Sequence, residues 1–527
     1  MSDLPAKKQI PLDAILVIGL WLLVCAIEFL TIMVLSDGKF TYTLDDPYIH
    51  LAVAEQIAGG KYGINAEEFS APSSSPIWPF LLAPLARFSI GEYLPLVLNL
   101  AFGALTAWII LNRARKVLPL SLTGRVVASW VVLLGCNATG IVFTGMEHSL
   151  QLLAAVAVVD GMIRIADGDR LSRWFWVALI AGPLVRYENL ALSAAACGLL
   201  LFSGKPKAAI VSGVAALLGL AAFSAFLLQL GMPPVPSSII AKSTLTADTN
   251  RFYTVFRTLG SSINSNRGSW VMLFSTLLAG GALIRGISAP RAKAALFIAL
   301  AGVLHSSFGT YGWYHRYESY IFGAMLYALL ALAPSMLPGL AERWRAAHSA
   351  ALALVGGLVA SPYILGLISI PIAANNIHVQ QEQMHRFATG WWKRPLAVND
   401  LGWVSYKNDA YILDLWGLGS HTALEARLSG KDPSWMAEMA KSRNIGLAMV
   451  YESWIPAKAA GWIKVGELRL HGARVTPAAA EVAIYATSRD LVPEIEALLV
   501  DFRKTLPNNA SVITRTEALS TASLPSH

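Results

Sequence analysis

Two adjacent carboxylates, Asp45 and Asp46, are the residues in this sequence best placed for chemistry. They follow an apolar segment, residues 12–35, which is long enough to cross the ~30 Å hydrocarbon core of a bilayer as a helix. Carboxylates at that exit can meet a substrate whose tail stays in the lipid. The alternative is a helix N-cap beside a solvated acid, which is what Asp-Asp-Pro usually indicates in a soluble protein. The position at a membrane exit favours the functional interpretation.

Composition excludes a soluble globular enzyme. Of the 527 residues, 55% are hydrophobic and only 14% are charged, whereas an ordinary soluble chain has about 25% charged residues. The net charge of +8 does not indicate nucleic-acid binding, because the Lys and Arg residues cluster in short loops between apolar segments, where positive charge reports topology. The chain is therefore expected to be a polytopic membrane protein without a nucleic-acid partner.

Apolar segments predict about eleven membrane-spanning helices. The segments at 174–203 are the least regular, because the polar residues 186–189 interrupt them as a turn between two short helices or as a break in one long helix. The predicted spans are 12–35, 92–111, 125–143, 149–166, 174–184, 189–203, 207–230, 269–285, 293–309, 317–337 and 347–370.

The basic loops orient these spans. Lys7 and Lys8 precede the first span, and the loops after the second, fourth, sixth, eighth and tenth spans also carry Lys and Arg. Because positive loops stay in the cytoplasm, the N-terminus is expected there. Asp45, Asp46 and everything after about residue 371 then lie on the opposite face.

The tail differs in character from the rest of the chain and predicts a second domain. Residues 1–370 are expected to form the membrane domain, and residues 371–527 a small α/β domain of about 150 residues, enough for its own core. A loose end is expected at 507–527. Strand-like runs occur at 396–399, 410–413, 446–450 and 481–485, and helical patterns at 376–390, 434–443 and 490–504.

The order of several short motifs resembles the GT-C class of integral-membrane glycosyltransferases. An acidic pair after the first span, two surface helices in the first external loop, about eleven spans and an external C-terminal domain are the layout of that class. Within it, the chain is similar to bacterial arabinofuranosyltransferase-like and protein-mannosyltransferase-like members. The matching motifs are LDDPYIHLA (44–52), PSSSPIW (72–78), TGME (144–147), VRYE (185–188), PSSIIAK (236–242), HRY (315–317), VNDLG (398–402) and LDLWGL (413–418).

The resemblance implies a polyprenyl-phosphate sugar donor and a catalytic base on the external loop. Removing the proton of an acceptor hydroxyl needs a base, and a carboxylate can serve. Asp45 or Asp46 is assigned to this role, with Asp45 favoured. The other aspartate would position the acceptor, or would bind a divalent cation with His50 or Glu55 if the enzyme uses one. No further cofactor is expected.

Cationic groups are needed to hold the donor phosphate as it leaves. Arg316 is the first choice, because a guanidinium can hold two phosphate oxygens, although an interfacial anchor is the alternative for a basic residue flanked by aromatics at the end of a span. Lys242 is a second candidate, and a solvated loop lysine is its alternative. His315 precedes Arg316 and is a candidate for positioning the donor or acceptor.

Arg186 and Glu188 lie among apolar residues, where ionisable groups usually face a cavity or pair with each other. Arg186 is therefore a further candidate for donor phosphate, and Glu188 for substrate positioning, while an ion pair that ties the interrupted helix is equally consistent with the pattern. Glu147 begins an outward-facing helix, where an acid that complements the helix dipole is the alternative to a carboxylate lining the site.

These inferences predict an inverting transferase that moves a sugar, arabinofuranose before mannose or another hexose, to a glycan, lipid or protein acceptor. The reaction is expected on the periplasmic face of the bacterial inner membrane, with membrane lipid around the chain. A secondary transporter or a flippase for lipid-linked sugar is the main alternative, because many spans with an intramembrane Arg186 and Glu188 can mark a substrate path. A non-catalytic scaffold of the cell envelope is a third hypothesis.

Overall fold

The computed structural model describes residues 10–118, 122–242, 251–336, 345–430 and 432–517. Each of the eleven predicted spans coincides with a helix there. Among these residues, six helices are long and apolar enough to cross a membrane and four apolar helices are shorter. Pro290–Phe308 is the eleventh helix and falls in neither group. The chain is therefore a multi-pass membrane protein. The eleven helices are Leu12–Leu35, Leu94–Val117, Leu122–Gly135, His148–Asp167, Arg173–Val185, Leu190–Phe202, Pro206–Gln229, Asn266–Arg285, Pro290–Phe308, Ser319–Met336 and Arg345–Val379.

The interrupted segment at 174–203 is two short helices and not one. Arg173–Val185 ends at Arg186, which is extended (φ −155°, ψ 139°), and a 3₁₀ turn at Tyr187–Asn189 leads into the next helix. The Asn189 side chain donates to the carbonyl of Gly182, 3.2 Å away. The same carbonyl accepts the N–H of Arg186 at 3.1 Å, so the Asn189 bond is a second one that ties the next helix to the end of the first. The break turns Arg186 toward the polar end of the bundle.

The loop after the first span begins with the first of the two expected surface helices, which spans Asp46–Ala58 and has Pro47 in its first turn. The expected N-cap role of Asp46 is wrong. Asp46 is already helical, and neither it nor Asp45 caps the helix with its side chain, because both carboxylates have partners elsewhere. Shorter helices gather at the same end of the bundle: Trp78–Leu82, Ala83–Leu85, Ser89–Tyr93, Gly140–Phe143, Ser237–Lys242 and Arg251–Asn264.

A six-stranded mixed sheet forms the core of the C-terminal part. The strands are β1 Leu396–Val398, β2 Ile412–Asp414, β3 Leu447–Val450, β4 Ile463–Leu470, β5 Glu481–Ala486 and β6 Ala510–Thr514. Their order is β2-β1-β3-β5-β4-β6. The first three strands are parallel, whereas β5, β4 and β6 are joined by antiparallel pairings.

The sequence predicts four of these strands and misses β4 and β6. The expected loose end at 507–527 is wrong over β6, which pairs with β4 along five residue pairs. Residues 518–527 lie outside the described residues. The helices around the sheet are Gln381–Arg386, Gly402–Ser405, His421–Leu428, Ser434–Ser442 and Val492–Arg503.

The α/β part is seated on the first external loop. Asn65 exchanges two hydrogen bonds with the backbone of Ile412, at 2.9 and 2.8 Å, and Glu68 accepts a hydrogen bond from the Tyr411 hydroxyl. The helix Arg345–Val379 runs through residue 370, so the expected domain boundary falls inside a continuous helix. That helix leads the chain directly from the membrane bundle to the sheet.

Gly145 tests how tightly the external loop is packed. It has a left-handed φ of +66°, and a Cβ there would lie 2.7 Å from the Pro47 side chain and 2.7 Å from the Tyr42 ring. Gly168 is also left-handed, at +73°, but has no atom within 4 Å of the Cβ position. Gly145→Ala is expected to lower the melting temperature more than Gly168→Ala. Both pay about 1–2 kcal/mol for a left-handed alanine, but only Gly145→Ala adds an overpacking cost of about 1–3 kcal/mol. Equal melting temperatures for the two variants would contradict this packing.

Candidate active site

Asp46 and Arg316 form the centre of the candidate site. A carboxylate oxygen of Asp46 lies 2.5 Å from Nη2 of Arg316. The Arg316 side chain is 1% exposed, whereas that of Asp46 is 23% exposed. The structure therefore brings together two residues that the sequence predicts for different roles, and Asp46 is the member of the pair that a substrate can reach.

The guanidinium of Arg316 is only partly used. Nη2 also lies 3.3 Å from the Tyr317 hydroxyl. Among the described residues, no hydrogen-bond acceptor meets Nε or Nη1, although both atoms are buried. A buried cation with free N–H donors is costly unless something else accepts from them. Nε and Nη1 are therefore the two donors of Arg316 that an anion could accept.

The backbone that carries Arg316 is strained. Trp313, Tyr314 and His315 have φ of 46°, 61° and 57°, and Gly312 before them has φ of 91°. A left-handed conformation costs an L-residue roughly 1–2 kcal/mol, so three in succession require a surrounding structure that holds them. Strain of this kind concentrates at functional sites. Here the residues with positive φ form a left-handed turn that immediately precedes Arg316.

A second charged group lies across Tyr317 from Arg316. Arg186 donates to both carboxylate oxygens of Glu188, at 3.2 and 2.7 Å, and to Glu147 at 2.7 Å. The Tyr317 ring has the guanidinium carbons of Arg316 and Arg186 at 5.1 and 5.5 Å from its centroid, which is within cation–π range. The donors of Arg186 are thus committed to two carboxylates, unlike those of Arg316.

His50 connects this group to the external loop. Its Nδ1 lies 3.0 Å from the Ser73 hydroxyl and its Nε2 lies 3.6 Å from Glu147. Burial lowers the pKa of His50, although the Glu147 and Asp46 carboxylates oppose that effect. A neutral imidazole is therefore expected at neutral pH. At 3.6 Å the contact with Glu147 is neither an ion pair nor a good hydrogen bond.

A cleft opens beside Asp46. It has about 240 Å³ of empty volume, which includes space open to solvent, and both the loop after the first span and the α/β part contribute to its wall. The lining residues are Asp46, Ile49, His50, Pro72, Ser74, Met146 and Leu418. The mixed lining has a carboxylate, an imidazole and a hydroxyl on one part and apolar side chains on the other, which suits a small polar group attached to an apolar carrier.

Asp45 faces away from this cleft. Its two carboxylate oxygens accept the backbone N–H groups of Gly402 and Trp403 at 2.6 and 2.7 Å. Burial and the neighbouring Asp400 carboxyl raise the pKa of Asp45 well above its usual value, although the two N–H donors oppose the rise. Glu55 also turns to the α/β part, where it accepts the N–H of Lys407 at 3.1 Å. Burial raises the pKa of Glu55.

His315 lies in a separate polar cluster. Its Nδ1 is 3.3 Å from Arg267 and 3.6 Å from the buried Glu318. Lys242 ends the helix Ser237–Lys242, and its side chain lies outside the described residues. Neither residue lines the cleft beside Asp46 in the part of the chain that the structure describes.

A divalent cation has no evident set of ligands. Within the described ranges, no group of three or more His, Cys, Asp or Glu side chains could hold a metal ion. Asp46 is paired with Arg316 and the Nδ1 of His50 faces Ser73, so the two expected ligands have other partners.

Arg186 is expected to be essential for stability. Arg186→Met would leave Glu147 and Glu188 without their cation, and an uncompensated buried charge typically costs about 3–5 kcal/mol. The melting temperature of the purified variant in detergent should fall by many degrees. The triple variant Arg186→Met, Glu147→Gln, Glu188→Gln should recover much of that loss, because it removes all three charges. A single variant as stable as the natural chain would refute the role of this ion group.

Sequence reasoning missed the contributions of Ser73, Ser74, Met146 and Leu418. Their motifs were recognised in PSSSPIW, TGME and LDLWGL, but nothing in the spacing indicates that these three segments meet. Leu418 is brought there by the loop after β2, where the Asp414 carboxylate accepts the N–H groups of Trp416 and Gly419, both at 2.8 Å. The order of the motifs indicated the class of fold, but only the folded structure shows which residues line the cleft.

Comparison with known proteins identifies the fold. The crystal structure of ArnT from Cupriavidus metallidurans bound to undecaprenyl phosphate is 12% identical, with a TM-score of 0.50, over 90% of this chain and 99% of that chain. At this identity the likeness concerns the fold alone, and it confirms the expected GT-C membrane fold with a small C-terminal α/β part. The apo crystal structure of the Archaeoglobus fulgidus oligosaccharyltransferase is 12% identical over 95% of this chain and 77% of that chain, but its TM-score of 0.43 is too low to carry an argument.

Sequence comparisons add one finding. The family described as "Domain of unknown function (DUF8728)" matches residues 373–485, which contain β1 to β4 and all but the last residue of β5. No curated protein is similar enough in sequence to match the chain.

Proposed function

We propose that this chain is a glycosyltransferase that moves a sugar from a polyprenyl-phosphate carrier to an acceptor hydroxyl at the membrane surface. The observation that carries the proposal is the contact between Asp46 and Arg316 beside the cleft. One residue supplies a base that a substrate can reach, and the other supplies buried N–H donors that no described protein group accepts. Base and anion site are thus 2.5 Å apart at their nearest atoms.

The chemistry needs both groups at once. Asp46 accepts the proton of the acceptor hydroxyl, while the acceptor oxygen forms a bond to the anomeric carbon of the sugar. The bond between that carbon and the phosphate oxygen breaks, and Arg316 stabilises the negative charge that develops on the leaving polyprenyl phosphate. A single displacement of this kind inverts the anomeric configuration. Nη2 of Arg316 keeps Asp46 in place while Nε and Nη1 face the phosphate.

Asp46 is the proposed base in preference to Asp45. The carboxylate of Asp45 is buried and already accepts two backbone N–H groups, whereas Asp46 lines the cleft. Arg186 is proposed to hold Glu147 and Glu188 in position and not to bind phosphate, because its donors are used. His50 and Ser74 are proposed to contact the sugar or the acceptor from the polar wall of the cleft.

A lipid-linked donor fits the position of the site. Asp46 begins a helix just beyond the first span, and Met146 and Leu418 add apolar surface to the cleft. The ArnT structure with the same fold was determined with undecaprenyl phosphate, which supports a polyprenyl phosphate as the carrier here. Arabinofuranose is the first sugar to test and mannose the second. The acceptor is a glycan, a lipid or a protein.

The basic loops support a site on the periplasmic face of a bacterial inner membrane, with the N-terminus in the cytoplasm. In that orientation Asp46, Arg316 and the α/β part share one side. The donor would then be used where lipid carriers display their sugars, outside the cytoplasm. Cysteine labelling of single positions in intact cells, at residue 67 outside and residue 204 inside, tests this orientation.

The deciding experiment separates a transferase from the alternative of a flippase. Purified protein in liposomes is given a radiolabelled polyprenyl-phosphate arabinofuranose or mannose, with and without a membrane extract as acceptor. A transferase releases polyprenyl phosphate and moves label to the acceptor fraction. Movement of intact labelled lipid between leaflets, with no transfer in the presence of the extract, would refute the proposal and support the flippase.

A further inference from the structure

Asp45 joins the first external loop to the α/β part through an unusually close contact. Its oxygens accept the N–H groups of Gly402 and Trp403 at 2.6 and 2.7 Å. A Cβ at position 402 would lie 2.1 Å from the carbonyl oxygen of Asp45 and 2.4 Å from its Cγ. Only glycine lets the two backbones approach to this distance. The contact is therefore built into both segments.

Asp400 adds a second carboxyl group to this contact. It forms a side-chain hydrogen bond with Asp45, and its Oδ2 accepts from the Gln381 amide at 2.8 Å and the Tyr451 hydroxyl at 3.1 Å. Two carboxylates cannot share a hydrogen bond unless one of them carries a proton. Asp45 and Asp400 therefore share one proton.

A backbone hydrogen bond and one aromatic stack connect this contact to Asp46, the candidate base. The carbonyl oxygen of Asp45 accepts the N–H of Tyr48 at 3.1 Å, which fixes the first turn of the helix that Asp46 begins. The Tyr48 ring stacks on Trp403, with centroids 3.9 Å apart and planes at 25°. The segment after β1 thus holds the chain on both sides of Asp46 without touching the cleft itself.

We propose that Asp45 and Asp400 are a positioning pair, through which the α/β part sets the geometry of Asp46 for the transfer reaction. The inference deepens the proposed function and rests on it for its kinetic consequences. Asp45 is in this view a structural acceptor and not a catalytic base, and one shared proton joins it to Asp400. Transfer by a membrane site then depends on a carboxylic acid in a different domain.

Asp400→Asn and Asp400→Leu test the pair. An asparagine amide can donate to Asp45 while its oxygen accepts from Gln381 and Tyr451, so Asp400→Asn should keep kcat within about threefold of the natural chain. Asp400→Leu has a similar size but no donor, and should lower kcat about 10- to 100-fold, the range of effects from a misplaced reacting group. The donor KM should change by less than about threefold in both, because Arg316 is untouched.

Asp45→Asn provides the reciprocal test. Its amide oxygen can accept only one of the two N–H groups. Its NH₂ group then faces the other N–H, so that two donors oppose each other. We expect kcat to fall as in Asp400→Leu, with the donor KM again nearly unchanged. Thermal unfolding of each variant in detergent confirms that the chain is folded.

Hydrogen exchange supplies a readout that does not depend on catalysis. The peptide that contains residues 402–405 should exchange faster in Asp45→Asn and Asp400→Leu than in the natural chain, and at the natural rate in Asp400→Asn. Natural exchange and natural kcat in Asp400→Leu would overturn the inference, as would an Asp400→Asn variant that behaves like Asp400→Leu. If the natural chain transfers no sugar from any polyprenyl-phosphate donor, the proposed function fails, but the exchange experiment still decides the pairing.

Discussion

Asp46→Asn is expected to lower kcat for sugar transfer by about 10²–10⁴-fold, the usual contribution of a general base. The asparagine keeps the size of the side chain and can still accept from Arg316, so the fold and the cleft should persist. What it loses is the ability to take the acceptor proton. Initial rates with a saturating polyprenyl-phosphate sugar measure the effect, and the donor KM should change little.

The matched control is Glu67→Gln, the same chemical change at an exposed carboxylate of the same loop. Its kcat should equal that of the natural chain. The Asp45→Asn variant separates the two aspartates further, because its loss should be accompanied by faster exchange at residues 402–405, whereas Asp46→Asn should leave that exchange unchanged. Full activity of Asp46→Asn would end its assignment as the base.

Arg316→Gln is expected to lower kcat/KM by about 10²–10³-fold, since removal of one group that stabilises transition-state charge typically has this effect. Two buried nitrogens of this guanidinium, Nε and Nη1, have no hydrogen-bond acceptor among the described residues. Binding of polyprenyl phosphate without a sugar should weaken in parallel. Microscale thermophoresis in detergent, with the fluorescently labelled protein, measures that binding.

Arg316→Lys serves as the comparison at the same position. It keeps the positive charge but cannot hold Asp46 and a phosphate with separate nitrogens of one planar group. Its kcat/KM should therefore lie between those of the natural chain and Arg316→Gln. A glutamine variant that binds polyprenyl phosphate as tightly as the natural chain would show that the phosphate lies elsewhere.

Much of the fold follows from hydrophobic length and charge. The eleven apolar segments predict eleven helices because each must bury its backbone hydrogen bonds within itself. The helix that begins at Asp46 follows from Pro47 in its first turn. Four of the six strands are short apolar runs between turn residues. The two missed strands lack that signature: β4 carries Lys464, Glu467 and Arg469, and a bulge between Lys464 and Gly466 breaks its alternation.

The candidate site is less accessible from sequence. Residue types near a membrane exit indicated Asp45, Asp46 and Arg316, but they could not indicate which aspartate meets the arginine. That choice depends on Gly402 and Trp403, whose N–H groups engage Asp45 from the far end of the chain. Backbone N–H donors leave no signal in a sequence. The sequence therefore favours Asp45 as the base but cannot separate it firmly from its neighbour Asp46, which has the same side chain.

The sequence separations within the site also constrain how the protein is made. Asp46 and Arg316 are 270 residues apart, and Asp45 and the Gly402 backbone are 357 residues apart. The ribosome releases the chain from its N-terminus, so the first external loop emerges long before its partners. Asp46 can meet Arg316 only after residue 316 has been synthesised, and Asp45 is engaged only after the segment that follows β1 has been made. The nascent chain therefore lacks a complete site until synthesis is nearly finished.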